Sequence, residues 1–278
     1  MTRPLLILLA ITAATLGAAD EQARGIVRRS MALHERNAGL ARNYTFLERI
    51  EERRLDSQGR ETSKESRTYH TTILFGIPYR RLIQRDDRRL SPQEERKEQE
   101  KLARTFTERK SESEAQKKDR LSGYEKRQER GRAYLREIPD AFDFRLLGEE
   151  QRQGRAVHVI DAIPRAGYQP RDARAKTLPR LHAKLWIDKS DLQWMRVEAE
   201  VIDTISVWLF LARLGTGSRL EFEQIRVTDE IWLPQIVRAS GAVRIALLKK
   251  LQGDVTITYK DYRKFQSESE VAPLGSAP

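Results

Sequence analysis

Residues 181–201 read LHAKLWIDKSDLQWMRVEAEV, and no other stretch limits the fold as strongly. Leu181, Ala183, Leu185 and Ile187 alternate with His182, Lys184, Trp186 and Asp188. Met195, Val197, Ala199 and Val201 then alternate with Trp194, Arg196, Glu198 and Glu200. Successive strand side chains point to opposite faces, so a period of two makes a ribbon with one apolar and one polar face. Between the two runs, Asp188, Lys189, Ser190 and Asp191 supply short polar side chains that satisfy the backbone of a turn. The spacing predicts a β-hairpin, with Trp186 and Trp194 on its polar face covering each other. Such a ribbon is half of a sheet that needs a cover on one side only.

The rest of the chain supplies more sheet and a limited cover. Residues 20–40 read as a helix, with Ala23, Ile26, Val27, Met31 and Leu33 near helical spacing. Strands are expected over 43–55, 61–75 and 79–85, with Gly76 and Pro78 as breakers, giving an antiparallel meander. Ser91-Pro92-Gln93-Glu94 has a cap residue, a first-turn proline and a glutamate at the capping-box spacing. The charged run it opens, residues 92–137, is expected to form two helices divided at Ser122-Gly123. Its apolar residues are sparse, so it buries a narrow stripe and acts as a solvated arm or lid; a nucleic-acid or partner-binding arm is the alternative. Strands follow over 142–146 and 156–163, and a basic loop over 165–179. Beyond the hairpin lies the apolar stretch 205–214. Four more strands are expected at 220–227, 231–239, 243–248 and 254–262, with Asp229-Glu230 and Gly253 in turns. Residues 266–278 have the composition of a disordered tail.

Net charge is +11. Nucleic acid is nevertheless not the expected partner, because residues 1–19 have the pattern of a secretory signal peptide. Arg3 precedes a short apolar run and Gly17-Ala18-Ala19 has the small-residue cleavage pattern. The alternative is an uncleaved anchor, for which the run is short. Export places the protein in a bacterial periplasm. The chain has no cysteine, which removes a lipid-bearing cysteine, a thiolate nucleophile and any cysteine metal site. Acidic residues interleave with Lys and Arg throughout 92–137, unlike a phosphate-binding stripe.

Residues able to do chemistry are scattered. His34, His70, His158 and His182 fall on a helix and three different strands, without a nucleophile elbow or a metal-binding motif. The reading is a non-enzymatic protein with no cofactor. Apolar residues are better grouped. A one-faced sheet curved by its twist leaves a concavity, which only the first helix and the 205–214 stretch can fill. The residues expected to line this wall and bind lipid are Leu185, Ile187, Met195, Val197, Trp208, Phe210, Phe222 and Trp232.

Leu185-Trp186-Ile187-Asp188-Lys189 with Met195-Arg196-Val197, Asn43-Tyr44-Thr45-Phe46 after the first helix, and Asp229-Glu230-Ile231-Trp232-Leu233-Pro234 resemble motifs of the LolA/LolB/LppX-like superfamily of lipoprotein-sorting proteins. The likeness spans about residues 25–265. It implies an α+β fold: a strongly curved antiparallel sheet, or incomplete β-barrel, covered by an N-terminal helix and the charged helical insertion, in a single domain over 20–265. It also implies an apolar cavity for a lipid or an acylated protein. The basic surface would favour peripheral contact with an anionic membrane. The rival reading is an envelope interaction or sensor protein that grips its partner with the charged helices.

Overall fold

A computed structural model describes residues 5–207, 212–245 and 249–265. Helix α1 (Leu5–Ala41) leads into β1 (Tyr44–Leu55), β2 (Glu61–Leu74), β3 (Ile77–Arg85) and the two-residue β4 (Arg88–Arg89). Then come α2 (Pro92–Lys110), α3 (Glu114–Ala133), a 3₁₀ turn (Tyr134–Glu137) and α4 (Ile138–Ala141). β5 (Phe142–Arg152) and β6 (Arg155–Pro164) precede a 3₁₀ segment (Ala173–Arg180), β7 (Leu181–Asp188) and β8 (Trp194–Val201). The chain continues through β9 (Ile205–Val207), β10 (Ala212–Leu214), β11 (Arg219–Thr228), β12 (Ile231–Ile245) and β13 (Lys249–Lys264).

The strands form one antiparallel sheet in the order β4-β3-β2-β1-β13-β12-β11-β8-β7-β6-β5, with β10 pairing β12 and β9. β13 joins the amino-terminal meander to the other half. The end strands β4 and β5 are not paired with each other, so among the described residues the sheet is open. The architecture is the expected α+β sheet with helical cover. No helix among the described residues is long and apolar enough to cross a membrane.

Several boundaries differ from the sequence reading. Pro78 lies inside β3, opposite Ile73. It is tolerated there because β4 pairs only with Gln84 and Arg85, leaving Pro78 at an open edge where no donor is missed. The charged helices divide at Ser113, whose hydroxyl and Gln116 form a second capping box, like that of Ser91 and Glu94. Gly123 stays within α3, since one interior glycine weakens a helix by about 1 kcal/mol without ending it. Gly253 is not a turn residue, and neither it nor Gly241 interrupts its strand. They face each other within β12 and β13, where a Cβ would lie 2.2 Å from the Ser218 Oγ and from the Arg53 carbonyl oxygen, respectively. They permit close backbone approach, so one strand runs through Ile231–Ile245, and residues 246–248 of the expected strand 243–248 lie outside the described residues.

Helix α1 lies across one end of the sheet. Ala23, Ile26, Val27 and Met31 pack on Phe142, Phe144, Ile160, Leu185, Ile187 and Trp194. Burial of large side chains of this kind contributes about 1.5–3 kcal/mol each. Trp194 donates from Nε1 to the Ser30 hydroxyl at 2.8 Å and stacks on His34 at 5.5 Å. Further along, the Asn37 side chain donates to the Trp232 carbonyl and accepts from the Trp232 N–H. It pairs with one strand residue as another strand would.

Replacing Asn37 by leucine is expected to lower unfolding free energy by about 2–4 kcal/mol, because it leaves a buried N–H and a buried C=O unpaired. Urea denaturation checks this; an unchanged midpoint would contradict the pin. Burial also pushes the pKa of His34 and of His158 below 6.5, as it does for His70. The unfolded chain then binds more protons, so stability is full above pH 6.5 and falls as pH drops through the lowered values. Thermal midpoints measured from pH 7.5 to 5 should decline, and less steeply for His34→Gln.

Candidate functional site

The register separates the sheet into two chemically different faces. On the α1 side, Leu146, Ile160, Leu185, Val197, Phe222, Val237, Ile257 and Ile50 stand directly opposite one another across eight strands. A second row beside it runs Phe144, Ala162, Ala183, Ala199, Leu220, Ala239 and Val255. Helix α1 and the two 3₁₀ segments pack over the β5–β8 part of both rows. Cover thins towards β11, β12 and β13. Phe222, Val237, Ile257 and Ile50 are half-buried, while Leu220 is 46% exposed and Val255 36%. The result is an open apolar shelf beside the helix.

On the other face one row reads Arg145, Asp161, Lys184, Glu198, Glu221, Arg238, Thr256 and Glu51. Opposite charges on neighbouring strands attract, and the like pair Glu198 and Glu221 is bridged by Arg196, which also meets Glu223. Burial opposes the Arg196 charge, but the surrounding carboxylates outweigh it and raise its pKa. His182 Nε2 lies 2.6 Å from Asp161 Oδ1. A hollow of about 820 Å³ spans this face from Asp161 to Arg53. Charged and polar side chains line it together with Ala183, Ala199, Leu220, Ala239 and Val255 of the second row, while alternation along the strands points the charged row and the Leu146–Ile50 row to opposite faces of the sheet.

The eight wall residues expected from sequence are divided accordingly. Leu185, Ile187 and Val197 are on the α1 side, the first two under the helix, and Phe222 continues that row. Trp208 and Phe210 lie outside the described residues. Met195 and Trp232 join Val157, Val159 and Trp186 in a separate buried cluster. For Met195 the cause is a β-bulge: Trp186 pairs with Arg196 but Ile187 pairs with Trp194, leaving Met195 as an extra residue. Beyond the bulge the alternation is inverted, so Trp194 meets the helix and does not cover Trp186. Arg152, Lys184 and Arg196 instead surround the Trp186 ring at 5.3, 4.8 and 5.7 Å.

The hairpin turn is tied into this cluster. Asp188 is fully buried and receives Arg155 at 2.6 and 3.0 Å and the backbone N–H groups of Ser190 and Asp191. Burial alone would raise its pKa, yet these partners together hold it below the ordinary carboxylate value. Asp191 accepts from Arg155 and from the Trp232 Nε1, both at 3.0 Å. Asp188→Asn should therefore cost about 2–4 kcal/mol, since the half-exposed Arg155 keeps some solvation after losing its buried partner. Guanidinium denaturation measures this, and a loss below about 0.5 kcal/mol would contradict the tie.

No family model and no curated protein sequence matches the chain. Solved structures similar to it include a putative outer membrane lipoprotein-sorting protein domain from Vibrio parahaemolyticus, at 12% identity and TM-score 0.38, covering 88% of this chain and 97% of that one. A DUF1329 family protein from Desulfovibrio piger matches at 11% identity and TM-score 0.29, covering 88% and 96%. A LolA superfamily protein from Nitrosomonas europaea matches at 9% identity and TM-score 0.32, covering 87% and 96%.

Proposed function

We propose that the protein is an exported, non-enzymatic carrier of the bacterial envelope that holds the acyl chain of a lipid or of a lipidated protein on the apolar shelf beside α1. The observation that carries this reading is the uninterrupted apolar row from Leu146 to Ile50, half of which the helix leaves open. A row of alanines runs alongside larger residues there, and that relief suits a slender hydrocarbon chain. Contact with a shelf of this kind is non-directional and selects for apolar length. The wall would consist of Val197, Phe222, Val237, Ile257 and Ile50, with Leu220 and Val255 at the open side. Met195 and Trp232 are buried in the cluster beyond the bulge and are not part of it. Trp208 and Phe210 remain wall residues on their sequence alone.

A second reading, a partner-binding role for the charged helices, is favoured by one feature. Helix α3 has no buried residue, and the α2–α3 pair is tethered mainly through Leu102 on Leu74, and through Arg109 and Arg120 donating to the carbonyls of Leu74 and Phe75. Glu98 also accepts from the Leu82 N–H at the free edge of β3, so α2 protects that edge. The two readings place function on different elements and are separable by point substitution.

Native mass spectrometry and lipid extraction on protein isolated from the envelope fraction should show an acyl species in near-stoichiometric amount. In Leu220→Asp/Val255→Asp it should fall several-fold, while stability shifts by less than about 1 kcal/mol because both sites are exposed. Unchanged lipid content in the folded double variant would refute the shelf, and a clean apo-mass of the parent protein would move the assignment to the helices.

A further inference from the structure

A β-bulge gathers basic groups at the meander end of the sheet, on the face away from the shelf. Leu47 stands opposite Lys260 on β13 and His70 on β2, and His70 stands opposite Arg81 on β3, so the four form one row. Thr45 shares that face by alternation, and its partner is Arg263. Two steps along β1 are thus matched by three along β13. Asp261, inside the extra step, takes a φ of 57°, in the left-handed region that aspartate tolerates better than most residues. Without the bulge Arg263 would point to the other face.

The pocket so formed has a volume of about 290 Å³ and is lined by Thr45, Leu47, His70, Arg81, Ile83, Asp261 and Arg263. Neither Arg81 nor Arg263 forms an ion pair among the described residues, whereas Arg49, Arg53, Lys64, Arg67, Arg80 and Arg85 of the same meander each meet a carboxylate. His70 between them is half-buried; burial first, then the charges of Arg81 and Arg263, hold its pKa below 6.5. Asp261 is the one carboxylate of the lining, and it leaves the two guanidiniums in excess. Like charges at neighbouring strand positions weaken a sheet, and a bulge that turns Arg263 towards them adds to that cost. An anion in the pocket reverses the sign. Guanidinium forks match the oxygens of a phosphate group, and the imidazole can donate from a ring N–H. The volume falls just under the range of about 300–1,000 Å³ that holds drug-sized ligands, so it suits a small oxyanion and not a polymer.

We propose that the pocket between β13, β1, β2 and β3 is a phosphate-binding site in which Arg81 and Arg263 hold the oxyanion against His70. Leu47 and the shelf residue Ile50 are three apart on β1 and point to opposite faces, so this site is separate from the acyl shelf and either can hold without the other. Free phosphate and the phosphate group of a small ester share the chemistry recognised here.

Calorimetric titration of the purified protein with inorganic phosphate, at ionic strength held constant with chloride, should give one saturable site. Glycerol 3-phosphate separates the two sources: tighter binding than inorganic phosphate assigns the site to an ester, and weaker binding assigns it to the free ion. Arg263→Gln should weaken binding about tenfold, and Arg81→Gln/Arg263→Gln about 100-fold, through lost charge-assisted hydrogen bonds. Arg263 is exposed, so the single variant keeps the test decisive if the double variant does not fold. The control Arg54→Gln/Arg88→Gln removes two exposed cations of the same meander and should stay within about twofold of the parent, since charges outside the pocket are screened. The ring-proton signals of His70 report the place of binding. Sulfate, whose own charge is constant over the range, should raise the pH at which they titrate, because a bound anion favours the imidazolium. No saturable binding, equal loss in the control, or a His70 titration that sulfate leaves unchanged would each overturn the proposal. Lipid content of the same preparations reports separately on the shelf.

Discussion

A buried asparagine amide ties the helix to the sheet, and much of the structure depends on it. Asn37 satisfies both backbone groups of Trp232, at the start of β12. The Trp232 indole then donates to Asp191, which shares Arg155 with the buried Asp188. One hydrogen-bonded path thus runs from α1, through the middle of the sheet, to the β7–β8 turn. Apolar contact between helix and sheet is non-directional and would tolerate sliding; a bidentate amide at one strand residue does not. The path fixes where the helix crosses, and so how much of the apolar row remains open.

The charged face solves a different problem. A chain with 33% charged residues must place many of them on a sheet, where neighbouring side chains are close together. Cross-strand alternation of sign does this along most of the row from Arg145 to Glu51, and Arg196 bridges both carboxylates of its like pair, Glu198 and Glu221. Individually such exposed pairs are worth little, about 0–1 kcal/mol. Their effect here is collective and positional: a one-residue slip of any strand would turn its charges onto the apolar face. Charge pattern and apolar pattern therefore specify the same register.

Much of this was legible in sequence because it rests on period. The hairpin, the meander, the capping box at Ser91 and the helix before Asn43 all follow from spacing and local chemistry. What escaped reading was non-local. The bulge at Met195 leaves no sign in the alternation, since WMRV reads equally well in either phase; only its partner strand shows that Trp194 and not Met195 faces the helix. Gly253 looks like a turn residue until its pairing with Gly241 shows a close approach. The separation of Met195 from the other expected lining residues follows directly from the bulge, whereas Trp232 lies on β12 beyond a separate register shift against β11, between Glu223 and Gln224. Asn37 lies within α1 and serves as the pin, a role with no local sign because its partner is 195 residues away.

The opposed faces also constrain where a hydrocarbon chain can go. The hollow on the charged side is roomy, but its lining would leave buried carboxylates and guanidinium groups facing hydrocarbon, at a cost of several kcal/mol for each ion stripped of water. The shelf on the α1 side has no such penalty, and among the described residues it lacks a roof over β11 to β13. An acyl chain there must be held between the helix edge and the sheet, with one flank towards solvent until something covers it.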